Sequence, residues 1–163
     1  MNGIKVTNLS ENEIEQICGE IGDSFYDHAY GRKKDGTTEY GLRKLLDSRE
    51  KMYQHMKACF LAGYESGCLY STSRRGEGYI LVTCKGQDLS FKSGVWMIRA
   101  IVKNLGGLRG GIQFVRRIAT GGKTYEDELK KKKIPYANLA MLVVRKEYQG
   151  QGYMRQLMEM LYQ

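Results

Sequence analysis

Leu142-Val143-Val144-Arg145-Lys146-Glu147-Tyr148-Gln149-Gly150-Gln151-Gly152-Tyr153-Met154-Arg155-Gln156-Leu157-Met158 runs from an apolar strand through a glycine-bearing turn into an amphipathic helix. A strand feeding a helix in this way argues for an α/β fold with mixed secondary structure. The turn also has chemistry. At the start of a helix several backbone N–H groups lack intrahelical partners and point at one spot, and the helix dipole adds partial positive charge there. Glycine at 150 and 152 leaves no Cβ between that backbone and a bound anion. The stretch is expected to hold a pyrophosphate.

Working outward from it, Pro135 fits the start of the strand, and the preceding region is helical and basic. Phe91, Val95, Ile98, Val102 and Leu105 share one helical face, with Lys92, Arg99 and Lys103 off it. Gly106-Gly107 stops that helix; Leu108, Ile112, Val115 and Ala119 mark another, beside Arg109, Arg116 and Arg117. Thr124 with Asp127 reads as the cap of a short helix ending in the lysines at 130–133. A cationic amphipathic pair of this kind suits a membrane surface. The expectation taken here is the commoner one, in which both helices pack on their own sheet and leave basic faces in water.

Closer to the N-terminus, Ser10 with Glu13 reads as a capping box, and Ile14, Ile17, Cys18, Ile21 and Phe25 fall on one face of a first helix. Residues 31–37 read as a turn-rich loop. Leu42, Leu45, Leu46, Tyr53, Met56 and Phe60 then predict a second, longer helix, broken near Gly63 or Gly67. Residues 68–73 and 79–84 are β-rich runs joined by Arg74-Arg75-Gly76-Glu77-Gly78, an antiparallel hairpin. No internal repeat or low-complexity linker is recognised. At 163 residues the chain is expected to form one domain.

Composition narrows the classes. With 42% hydrophobic and 27% charged residues the chain reads as folded and globular. Cys18, Cys59, Cys68 and Cys84 have no paired ligand spacing and only His28 and His55 could join them, so no metal is expected; buried thiols in a reducing compartment are. Neither a signal peptide nor an apolar run of spanning length is recognised, and the protein is expected in the cytoplasm. A formal charge of +8 leaves three readings: nucleic acid, an anionic membrane, or a polyanionic small molecule. The charge is uneven, with an acidic first helix (Glu11, Glu13, Glu15, Glu20, Asp23, Asp27) and a basic later half.

The strand-turn-helix stretch resembles motif A of the GNAT superfamily of N-acetyltransferases: Gln or Arg, two residues, Gly, one residue, Gly or Ala, after a valine-rich strand. Gln149, Gly152 and the strand before them match; Met154 stands where the family usually has glycine or alanine, and Lys146 where many members have proline. The resemblance covers roughly twenty residues, with a looser match in the order of elements before them. It implies a GNAT-like acyltransferase fold with a helical insertion before the motif strand. Because the chain stops at Leu161-Tyr162-Gln163, in what the family would make the middle of the cofactor helix, the C-terminal half of that fold is expected to be missing.

The resemblance further implies acetyl-coenzyme A as co-substrate and transfer of its acetyl group to a primary amine by direct attack. Leu142, Val143 and Val144 would pair with the pantetheine arm. Gln149, Gly150, Gln151, Gly152, Tyr153, Met154 and Arg155 would surround the pyrophosphate. The position that bears a glutamate base in several family members is Asn138 here, so the base stays unassigned, with Glu65, His55 and Tyr26 as contributors by residue type. Phe25, Tyr26, Asp27, His28 and Tyr30 are acceptor-side candidates by analogy; an acidic solvated face with aromatic core residues is the commoner reading of the same residues. Homodimerisation through the insertion stays open. The alternatives are a GNAT-like chain that binds the co-substrate without chemistry, and a basic module for nucleic acid or lipid. Sparse aromatic interleaving disfavours nucleic acid.

Overall fold

The structure, a computed structural model, describes residues 3–84, 89–104, 107–119 and 125–162. The expectations placed on Leu105, Gly106 and Thr124 lie outside these residues. In chain order the first half comprises β1 (Ile4–Lys5), α1 (Glu11–Asp27), β2 (Ala29–Arg32), β3 (Thr38–Tyr40), α2 (Arg49–Glu65), β4 (Leu69–Ser71) and β5 (Gly78–Cys84). The second comprises α3 (Phe91–Asn104), α4 (Leu108–Ala119), α5 (Tyr125–Lys132), β6 (Ala137–Val144) and α6 (Tyr153–Leu161). It is a mixed α/β fold around an antiparallel sheet of order β1-β4-β5-β6.

Both faces of the sheet are covered. On β5, Tyr79 and Leu81 join the core formed with Ile17, Cys18 and Ile21 of α1 and Met52, Met56 and Phe60 of α2. Ile80 and Val82, alternating with them, pack with Leu157 and Met160 of α6 on the other side. The first helix starts where the capping box places it: Ser10 Oγ accepts from the Glu13 N–H at 3.3 Å, and the Glu13 carboxylate accepts from the Ser10 N–H at 2.8 Å. Gly22 lets α1 lie close on α2, since a Cβ there would stand 3.0 Å from the Tyr53 Cα.

Two expectations in this region are corrected. The second helix begins only at Arg49, capped by Ser48 Oγ accepting from the Lys51 N–H at 3.2 Å; Leu42–Lys44 is a separate 3-10 turn. Leu46 is fully buried without being helical, so apolar spacing alone ran the helix too far back. The turn expected at 31–37 forms at 33–37, but as the tip of a β2–β3 hairpin rather than a loop between helices, with Gly31 and Arg32 already in β2. It is tied by Asp35, which accepts from the Thr37 N–H at 2.9 Å, and its β2 residues are all exposed, so no apolar alternation announced it.

The basic helices depart furthest from expectation. α3 packs on α2 rather than on the sheet, and it does so through its small polar side. Ser93 is fully buried, its Oγ accepting from Ser66 Oγ at 3.1 Å and lying 2.8 Å from Ser90 Oγ. The apolar stripe faces solvent: Phe91 is 90% exposed and Ile98 62%. In α4, Leu108 and Ile112 are likewise exposed. Aligning the two helices also reveals a repeat that the chain-long reading missed. FKSGVWMIRAIV (91–102) returns as LRGGIQFVRRIA (108–119), each position seventeen residues on. Among the described residues, no helix is long and apolar enough to cross a membrane.

Candidate functional site

Among the described residues β6 is an edge strand, hydrogen-bonded in the sheet to β5 alone. The Arg145 N–H donates to the Glu77 carbonyl at 2.9 Å, which sets the phase of the ladder. Alternation in an antiparallel pair then turns the N–H of Val144 and the N–H and C=O of Leu142 toward the open edge. After the strand, a 3-10 turn (Lys146–Tyr148) leads to Gly150 and Gly152, with φ of +77° and +88°. Added Cβ atoms would meet nothing within 4 Å, so left-handed backbone, rather than crowding, calls for glycine at both. Gly152 is also the N-cap of α6 and offers no side-chain acceptor, which leaves the first N–H groups of that helix without a side-chain cap.

A cleft of about 500 Å³ lies against this strand and turn. One side consists of Leu142, Val143, Val144, Tyr148, Gln149, Gly150, Gly152, Tyr153 and Met154; the other, of Ser24, Phe25 and His28 at the end of α1. Eight of the ten residues singled out from the sequence are therefore brought together. Gln151 and Arg155 are not among the lining residues: the Gln151 side-chain amide donates to the Glu147 carbonyl at 2.9 Å, and Arg155 is exposed on α6. Gln149 is occupied structurally, its Nε2 donating to the Val144 carbonyl at 3.0 Å and pinning the turn to the strand end.

What holds the two sides together is Arg145. Its Nε and Nη2 donate to the two carboxylate oxygens of Glu20 on α1 at 2.5 and 3.0 Å, and its Nη2 lies 3.2 Å from Glu147. The Arg145 side chain is only 12% exposed, and its guanidinium holds the Glu20 carboxyl below the ordinary carboxylate range. The pairing is bidentate and fixes direction as well as distance. It was missed because the partners stand 125 residues apart.

Of the acceptor-side candidates, Phe25 and His28 line the cleft. Tyr26 lies beneath the guanidinium groups of Arg43 and Arg49, and Asp27 pairs with Arg49 at 2.7 Å. Tyr30 is exposed, its ring edge-on to His28 at 5.2 Å between centroids. The proposed proton acceptors fare worse. His55 is buried on the inner face of α2, where burial pushes its imidazole below its usual range, and neither it, Glu65 nor Tyr26 lines the cleft. Asn138 sits opposite Thr83 at the exposed start of β6, also away from the lining.

Two lining residues gain weight: Ser24, which the sequence did not single out, and His28, expected only as an acceptor-side residue. His28 is the only imidazole or carboxylate among them. Ser24 Oγ is buried with no hydrogen-bond partner, the one such side-chain atom among the described residues. A buried hydroxyl without a partner costs free energy. The cysteines are partly as expected: Cys18 and Cys68 are buried, burial pushing the Cys18 thiol up to about 12, whereas Cys84 is exposed. Comparison with protein-family models, characterised proteins and solved structures gives no match.

Proposed function

We propose that the chain is an N-acetyltransferase of GNAT type that uses acetyl-coenzyme A to acylate a primary amine. The observation that carries the reading is the cleft in which an open strand edge, a two-glycine turn at a helix start and the end of α1 meet. Its volume, about 500 Å³, falls within the usual range for small-molecule sites. The chain's own groups suit the extended, anionic co-substrate. The uncapped N–H groups at the start of α6 and the backbone of Gly150 and Gly152 would hold its pyrophosphate. The outward N–H and C=O of Leu142 and the N–H of Val144 would take the amides of its pantetheine arm, as a further strand would. When bound, acetyl-coenzyme A supplies an acyl group activated as a thioester.

On the facing wall, His28 would accept the proton that an ammonium must lose before it can attack a carbonyl. A backbone N–H of β6 aimed at the acyl oxygen would stabilise charge developing there.

Calorimetric titration of acetyl-coenzyme A into the 163-residue chain, its intact mass verified, tests the reading. Saturable micromolar binding supports it, and a folded chain that does not bind overturns it. Gly152→Asp should abolish binding by setting a carboxylate against the pyrophosphate. His28→Gln should leave binding intact and slow acetyl transfer by about 10²-fold or more. Binding without transfer to any amine would instead mark a co-substrate-binding chain without chemistry.

A further inference from the structure

The repeated helices α3 and α4 have a surface that the cleft does not use. In α3 the inward side is made of Ser93, with Met97 and Ala100 half-buried beside it, while Phe91, Val95 and Ile98 point outward. The serine network at 66, 90 and 93 fixes that rotation, because turning the helix to bury its stripe would pull Ser93 from its partners. At the corresponding places in α4, Gly110 and Gly111 lie inward and Leu108 and Ile112 outward, 73% and 53% exposed. A cationic margin runs beside both stripes. Lys92 and Arg99 in α3 correspond to Arg109 and Arg116 in α4, all four exposed, with Lys103 beyond them. Neither helix contains an aspartate or glutamate.

We propose that α3 and α4 together form a peripheral docking face for an anionic membrane surface. Helices that lie in a bilayer interface combine an apolar stripe, which enters about 5–10 Å below the headgroups, with lysine and arginine at the headgroup level. Here both parts occur twice at one offset. The charge argues against the other occupants. A second copy seated on this face would bring five cations against five, with no carboxylate from either helix between them. Nucleic acid would satisfy the cations but leave Phe91, Ile98, Leu108 and Ile112 facing phosphate and water. Lipid with an anionic headgroup meets both requirements. The inference is independent of the chemistry assigned to the cleft.

Flotation of the 163-residue chain with vesicles of phosphatidylcholine alone, or of phosphatidylcholine with phosphatidylglycerol, tests it. The chain should float with the anionic vesicles and not with the neutral ones, and rising salt should weaken the association. Arg99→Gln with Arg116→Gln should weaken it by about thirtyfold, the loss expected for two charges near the lipid surface. Ile98→Glu with Ile112→Glu should abolish it; both positions are exposed, so circular dichroism and urea midpoint should not move. Equal flotation with neutral vesicles, no flotation, or flotation unchanged in these folded variants would overturn the proposal. So would a concentration-dependent dimer broken by Ile98→Glu in a chain that ignores vesicles, or binding to duplex DNA that survives Ile98→Glu with Ile112→Glu.

Discussion

α1 and α3 are both amphipathic helices with an apolar residue every third or fourth position, yet the first buries its stripe and the second exposes it. Ile17, Cys18 and Ile21 of α1 lie in the core between α2 and the sheet. Phe91 and Ile98 of α3 face solvent, and the helix is held to α2 by serines. Periodicity reports that a stripe exists and says nothing of what covers it. In α1 the polar side is acidic and answers cations on neighbouring elements: Lys57 meets Glu15, Arg49 meets Asp23 and Asp27, and Arg145 meets Glu20. In α3 the polar flank is basic, and neither α3 nor its repeat α4 carries a carboxylate.

Truncating the two stripes should separate them most sharply. Ile21 is fully buried, and Ile21→Ala removes methylene and methyl groups from a packed core that collapses only partly around the gap. The expected loss is about 3–4 kcal/mol. Urea unfolding followed by circular dichroism reads it directly. A loss below about 1 kcal/mol would mean that α1 packs far more loosely than the cluster around it indicates.

Next in size is the clasp between α1 and the motif strand. Glu20→Gln leaves the Arg145 guanidinium partly buried beside a neutral amide, for an expected cost of about 1–2 kcal/mol, reduced because the carboxylate keeps partial contact with water. Acid should erase the difference. The Arg145 guanidinium depresses the Glu20 carboxyl in the folded chain, so the pair contributes in full above the ordinary value of 4.5 and its contribution is lost as pH falls through the folded value. Wild-type and variant urea midpoints should therefore converge as pH falls below the ordinary value of 4.5 and through the lowered folded value. A constant gap from neutral to acid pH would show that the amide disturbs packing rather than charge. Because the clasp joins the cleft's two walls, the same variant should also weaken acetyl-coenzyme A binding under the proposed function.

Legibility follows the same divide between local and distant causes. The capping box of Ser10, the hairpin at 68–84 and the strand-turn-helix at 137–161 are written in neighbouring residues, and each formed where spacing placed it. Most of the candidate cleft belongs to that last stretch, so its turn was legible from two glycines. Its other wall was not written in local pattern: Phe25 and His28 were named only through the family resemblance, and Ser24 not at all. Ser24, Phe25 and His28 reach the cleft because α1 crosses the sheet at the angle that Arg145 and Gly22 permit, and no local pattern encodes that crossing. β2 and β3 escaped notice because a two-stranded hairpin in water has no apolar face to alternate. The repeat in α3 and α4 escaped because half its positions match by chemical type rather than identity: Phe91 with Leu108, Lys92 with Arg109, Val95 with Ile112.

The smallest expected effect is the most telling for the comparison. Ile98 belongs to the apolar stripe of α3 as Ile21 belongs to that of α1, with the opposite environment. Ile98→Ala removes nothing from the core and replaces a β-branched residue with the best helix former, so its stability should change by less than about 0.5 kcal/mol, in either direction. The measurement is the same urea curve used for Ile21→Ala. A near-zero change together with weaker flotation on anionic vesicles assigns the side chain's role to something outside the folded chain. A loss of about 2 kcal/mol or more would mean that Ile98 is covered in solution, and the exposed face of α3 would then be an internal surface whose partner belongs to this same chain.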